Sequence, residues 1–113
     1  MSRTKMFAVA AVTGVAVLGA TPAFAHDIDS SRTGVHAWSH GTNGQVAVAD
    51  TKADSHEVYA NYDRYKATGF ELRNSSGNGT TVYGPLNESD PVYGIQACVA
   101  INFWPDDCGL YSH

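Results

Sequence analysis

The chain has 113 residues, 43% of them hydrophobic, with seven basic and eleven acidic side chains for a formal charge of −4. That is enough apolar sequence for one buried core and too little length for several, so the composition points to a single globular domain. Its few Lys and Arg residues are scattered among carboxylates, which argues against nucleic acid and anionic lipid as partners, since both need clustered positive charge.

Arg3 and Lys5 precede residues 6–19, which are apolar apart from Thr13 and two glycines. This run is shorter than the roughly 20 apolar residues that cross a bilayer. It leads to Ala23-Phe24-Ala25, an A-x-A processing site. The pattern predicts a signal peptide over residues 1–25, cleaved after Ala25, and hence a secreted, extracellular protein with no membrane insertion afterwards. Cleavage would remove two basic and no acidic residues, leaving 88 residues with a formal charge of −6. A domain of that size buries only about 60% of its unfolded surface and gains from a covalent staple.

Residues 26–33, HDIDSSRT, hold one large apolar residue and no period, and are expected to form a flexible N-terminal leader before a single β-domain over residues 34–113. Residues 34–39 read as a strand with Val35, Ala37 and Ser39 on one face and His36, Trp38 and His40 on the other. Residues 41–44, GTNG, form a turn. Residues 45–50 give a second strand with Val46 and Val48 inward. Residues 57–65 give a third, with Val58, Ala60 and Tyr62 opposite Tyr59, Asn61 and Asp63. Residues 70–84 are predicted to be a hairpin turning at residues 75–79, with Asn74 opposite Thr80, Leu72 opposite Val82 and Phe70 opposite Gly84.

The strongest strand signal is VYGIQACVAINFWPDDC, residues 92–108, which also holds both cysteines. Tyr93, Ile95, Ala97, Val99, Ile101 and Phe103 share one apolar face, while Cys98 has the other parity with Gln96, Ala100 and Asn102. A disulfide from Cys98 is therefore expected on the outer face, beneath the returning residues 104–109. The sum is an all-β fold, a small antiparallel sandwich or barrel of about six strands with one disulfide.

The segments VAVADTKADSHEVYANY (46–62), ELRNSSGNGTTV (71–82), GIQACV (94–99) and WPDDCG (104–109) together resemble short exported proteins of actinobacteria with similar D-T-x-A-D, L-x-N-x-S-G-x-G and W-P-D-x-C-G stretches. The resemblance covers most of the chain after Val46. It implies a secreted bacterial β-domain and carries no functional residues.

Cys98 and Cys108 are expected to pair in an oxidising compartment, and closing that loop would stabilise by about 2.5–3 kcal/mol on the chain-entropy model. Nine residues between the thiols, where a redox or metal pair would have two, argue against those roles. If cleavage follows Ala25, His26 would offer an α-amine and an imidazole together, a chelating pair suited to Cu(II). The competing reading is a solvated surface histidine. His36 and His40 would lie about 13 Å apart on a strand, too distant to share one metal. Loop carboxylates at residues 50–54 and 88–90 are candidate Ca²⁺ ligands. No pair of carboxylates or Ser-His-Asp set defines a reaction, so no enzyme is predicted. The aromatic residues remain. Tyr59 and Tyr83 on an outer sheet face, or Phe103 and Trp104 in the stapled loop, are the candidate binding residues for an extracellular protein or cell-wall glycan. The alternatives are a secreted protease inhibitor or antibacterial toxin, and copper handling through His26.

Overall fold

The computed structural model describes residues 27–40 and 43–113; the expected signal peptide and His26 lie outside them. The described chain is all-β, with eight strands: β1 (Asp29–Arg32), β2 (Val35–His40), β3 (Gln45–Asp50), β4 (Val58–Arg64), β5 (Phe70–Asn74), β6 (Thr81–Tyr83), β7 (Val92–Val99) and β8 (Asp107–Cys108). They form two antiparallel four-stranded sheets, ordered β1-β2-β3-β6 and β5-β4-β7-β8. The additions to the expected six or so strands are the short β1 and β8.

Alternation places the core between the sheets. Val35, Ala37, Val46 and Val48 enter from one side, and Val58, Ala60, Tyr62, Ile95, Ala97 and Val99 from the other, with Ile28 and Val92 completing the buried cluster. A sheet wet on one face must keep its apolar residues at every second position, which is why β2, β3 and β4 were readable as sequence. Full burial of each branched aliphatic contributes about 1.5–3 kcal/mol, so the cluster supplies most of the driving force for collapse.

Three expectations are corrected. The supposed leader is not free over residues 29–32. Ile28 is in the core, and the Ser39 amide donates to its carbonyl at 2.9 Å. Ser30 is buried and its hydroxyl accepts from the Ala97 amide at 3.0 Å, which seats β1 against β7. A strand fastened by serine hydroxyls leaves no apolar period in the sequence.

The hairpin over residues 70–84 is instead an arch between sheets: β5 pairs with β4, and β6 pairs with β3. The alternation was right, since Phe70 and Leu72 still pack on the core. What sends the chain across is Asn74. Fully buried, it donates to the carbonyls of Val48 at 3.1 Å and Thr80 at 3.0 Å, while its oxygen accepts from the Ser76 amide at 2.9 Å and the Thr80 hydroxyl at 3.2 Å. The bond to Val48 ties the end of β5 to β3 of the other sheet.

The apolar face of residues 92–108 is also interrupted. The pairing of β4 with β7 runs Asp63↔Gly94 and then Arg64↔Val92, skipping Tyr93. This bulge turns Val92 into the core and Tyr93 outward, because one extra residue flips the parity. Beyond it Ile95, Ala97 and Val99 keep their predicted face, but the strand ends at Val99, so Ile101 is only partly buried and Phe103 is fully exposed rather than inward.

Buried polar side chains pin the remaining loops. Asn43, at φ 64°, donates to the Val92 carbonyl at 2.6 Å and accepts from the Ser39 hydroxyl. Arg64 donates to four carbonyls, of Gly44 (3.2 Å), Pro85 (3.0 Å), Asn87 (3.2 Å) and Asp90 (2.7 Å). One guanidinium thereby organises the whole connection from β6 to β7. At the C-terminus Ser112 bridges to Ile95, and the rings of Tyr111 and His113 lie so close to Gly94 that a Cβ there would meet them at 3.0–3.2 Å.

Candidate functional site

The site grows from the end of β7. Cys98 is fully buried, and it stands on the face of β7 opposite the core residues, directly across from Cys108 in β8, to which it is bonded. The sequence placed this disulfide correctly. It closes residues 99–107 into a protruding loop.

Inside the ring Asp106 is the fastening point. One of its carboxylate oxygens accepts from the Ile101 amide at 3.2 Å and the other from the Tyr59 hydroxyl. Tyr59 lies on the neighbouring strand, level with Cys98, and the Arg73 guanidinium covers its ring 4.5 Å from the centroid. Burial first, and then the Asp106 hydrogen bond, push the Tyr59 hydroxyl up to about 12. The same bond, reinforced by the Ile101 amide, holds the Asp106 carboxyl below the usual carboxylate range. Each partner therefore stabilises the form of the other present at neutral pH. Arg32 adds a fourth tie, donating to Asp107 at 2.7 Å and linking the loop base to β1.

Above this base the chain makes a turn in which the Trp104 amide donates to the Ile101 carbonyl at 3.4 Å. Phe103 occupies its third position with φ 65°. Glycine or asparagine normally fills a positive-φ turn position, because a Cβ there crowds the backbone. Here the residue is a phenylalanine with 101% relative exposure, beside a tryptophan that is 74% exposed. The loop thus holds two adjacent rings in water on a base tied down by covalent, ionic and hydrogen bonds.

No family model matches the chain, and no curated protein or solved structure does either. The site is therefore interpreted from its own geometry.

The four aromatic residues singled out in the sequence do not form one surface. Phe103 and Trp104 are together and exposed. Tyr59 is only 7% exposed and belongs to the base of the loop, so its role is to position rather than to touch a partner. Tyr83, 55% exposed, lies on the other sheet, and its row neighbours are Ala47 and Trp38. Sequence reasoning missed Asp106 as the latch, because an acid five residues beyond Ile101 announces nothing until the loop folds back. It also missed Trp38 as the companion of Tyr83, although its outward parity was legible.

The loop carboxylates considered for Ca²⁺ serve backbone amides: Asp50 accepts from Lys52 (3.2 Å), Asp54 from His56 (3.0 Å) and Asp90 from Lys66 (2.8 Å). Among the described residues no group of three or more His, Cys, Asp or Glu is placed to hold a metal ion. Asp50, Asp54, His56 and Glu57 do border an open depression of about 200 Å³ between the connections 51–57 and 75–80.

Proposed function

We propose that this protein is a secreted, non-enzymatic binding module that engages an extracellular protein or cell-wall glycan through the loop tip Phe103-Trp104-Pro105. The observation that carries the reading is the conformation of Phe103. A bulky residue at positive φ costs stability, and a fully exposed ring recovers none of it by burial. Strain kept at an exposed aromatic on a braced loop is what a preformed contact surface requires, since rigidity lowers the ordering cost of binding. Tryptophan and its aromatic neighbours are also the side chains that dominate binding energy at interfaces. Secretion agrees with the disulfide, which persists in oxidising surroundings.

A protease inhibitor would present an extended segment to its target. The turn at Asn102-Phe103 favours the binding module over that alternative. The test is a pull-down from culture medium and isolated cell wall, run beside a glycan array, with the native protein and Trp104→Ala. Loss of the retained ligand by at least tenfold in the variant is expected. Undiminished retention would remove the loop tip from the proposal.

A further inference from the structure

The two sides of the sandwich are finished differently. On one side β1 meets the C-terminal segment: the Ser30 hydroxyl accepts from the Ala97 amide, Arg32 pairs with Asp107, and a Cβ on Gly109 would meet the Ser31 carbonyl oxygen at 2.8 Å. On the other side the sheets end in β5 and β6. Which backbone groups β5 presents there follows from the bonds around β4 and β7. The amide and carbonyl of Ile95 both bond to Ser112, on the side of β7 away from β4, while the Ala100 amide donates to the Glu57 carbonyl on the side facing it. Antiparallel strands bond each neighbour through alternate residues. Even-numbered residues of β7 therefore bond to odd-numbered residues of β4, which leaves Val58, Ala60 and Tyr62 to bond with Asn74, Leu72 and Phe70 of β5. The amides and carbonyls of Glu71 and Arg73 point the other way, out of the sheet edge, and no hydrogen bond from a described residue reaches them.

A bare edge is a template for another strand, and β5 lacks the Pro, the Lys or the bulge that would spoil it. Its inward side chains, Phe70 and Leu72, pack at the rim of the core and are only partly covered, while Glu71 and Arg73 are exposed on the outer face. These two charges decide which strand fits. Among antiparallel registers that set the outward-pointing backbone groups of one β5 against those of a second, centring on residue 71 opposes two carboxylates and centring on residue 73 opposes two guanidinium groups. Like charges directly opposite are destabilising. Centring on Leu72 instead places Glu71 opposite Arg73 at both ends of the contact. Both residues of each strand then exchange backbone bonds with their counterparts, and Leu72 meets Leu72 at the centre. The strand FELRN is thus its own complement in charge and in hydrogen bonding, as the isologous interface of a two-fold dimer requires.

We propose that the protein forms a two-fold dimer through β5, joining the β5-β4-β7-β8 sheets of two copies edge to edge in the register centred on Leu72. Sedimentation of the disulfide-bonded protein from micromolar to millimolar concentration should show a reversible dimer, and hydrogen exchange at the Glu71 and Arg73 amides should slow over the same range. Glu71→Pro removes an amide that bonds nothing within the chain, so it should abolish the dimer while circular dichroism shows the fold retained. Glu71→Lys sets cation against cation across the contact and Arg73→Glu sets carboxylate against carboxylate. Each alone should weaken the dimer at least tenfold, and an equimolar mixture of the two should restore it as a heterodimer, because every cross-strand pair is then opposite in sign. A monomer at every concentration would leave the edge to a strand of another protein and overturns the proposal. So does a dimer that Glu71→Pro or the charge reversals leave intact, or a mixture of the charge variants that stays monomeric. A dimer that Tyr83→Pro dissociates and Glu71→Pro does not would assign the contact to β6 and overturns it as well.

Discussion

Phe103 offers a stability test of a functional idea. A non-glycine residue in the left-handed region costs about 1–2 kcal/mol, and asparagine avoids most of that through local hydrogen bonding. The ring is fully exposed, so its removal forfeits no burial. Phe103→Asn should therefore stabilise the fold by about 0.5–1.5 kcal/mol. Phe103→Gly relieves the same strain but frees the unfolded chain, which returns about 0.5–1 kcal/mol of the gain. Phe103→Ala keeps the Cβ and should lie within about 0.5 kcal/mol of the native protein. In a domain of this size 1 kcal/mol moves Tm by about 4–8 °C, so thermal unfolding with the disulfide intact resolves the series. The expected order of stability is Asn, then Gly, then Ala and the native Phe together. Destabilisation by all three substitutions would mean that the ring is packed, and the exposed, strained tip would be refuted.

Two further outcomes follow from the loop base and the arch. The Asp106 carboxyl is depressed in the fold, so its contribution is present above the ordinary carboxylate range and lost as pH falls through it; the Tyr59 hydroxyl is raised from 10.0 to about 12, so its contribution is complete below pH 10 and lost between there and about 12. Stability measured by denaturant unfolding should be flat between these limits, and Tyr59→Phe should reduce the alkaline loss, leaving the part due to Tyr111, whose hydroxyl burial also raises, a result checked against tyrosinate absorbance. Asn74→Ala removes a donor from the Val48 carbonyl and the acceptor of the Ser76 amide, while the Thr80 carbonyl keeps the Asp50 amide, and should cost about 2–3 kcal/mol in urea unfolding; a cost below about 1 kcal/mol would mean that the arch does not depend on that side chain.

The sequence showed what burial on one face imposes and little of what polar side chains decide. β2, β3, β4 and the inner half of β7 were legible because one slip in register would expose Val35, Val48, Val58 or Val99. The outward parity of Cys98 followed from the same rule. The arch was not legible, since a hairpin and a sheet crossing share one alternation and differ only in where Asn74 directs its hydrogen bonds. β1 was hidden because Ser30 holds it by a hydroxyl bond to Ala97 rather than by apolar contact. The bulge at Tyr93 was hidden because a single skipped residue changes the face without changing composition. For the site, the stapled loop and its rings could be read from residues 98–108, whereas the Tyr59-Asp106 latch spans 47 residues and exists only once β4 pairs with β7 and the loop folds back.

The most direct measurement of the central claim is site-specific photo-crosslinking from the loop tip. A crosslinker at position 103 should join the protein to one extracellular ligand, a protein or a cell-wall glycan, while the same group at Ser76, exposed on the arch between β5 and β6, joins it to none. Equal crosslinking from both positions, or crosslinking from Ser76 alone, would contradict the assignment of binding to Phe103 and Trp104.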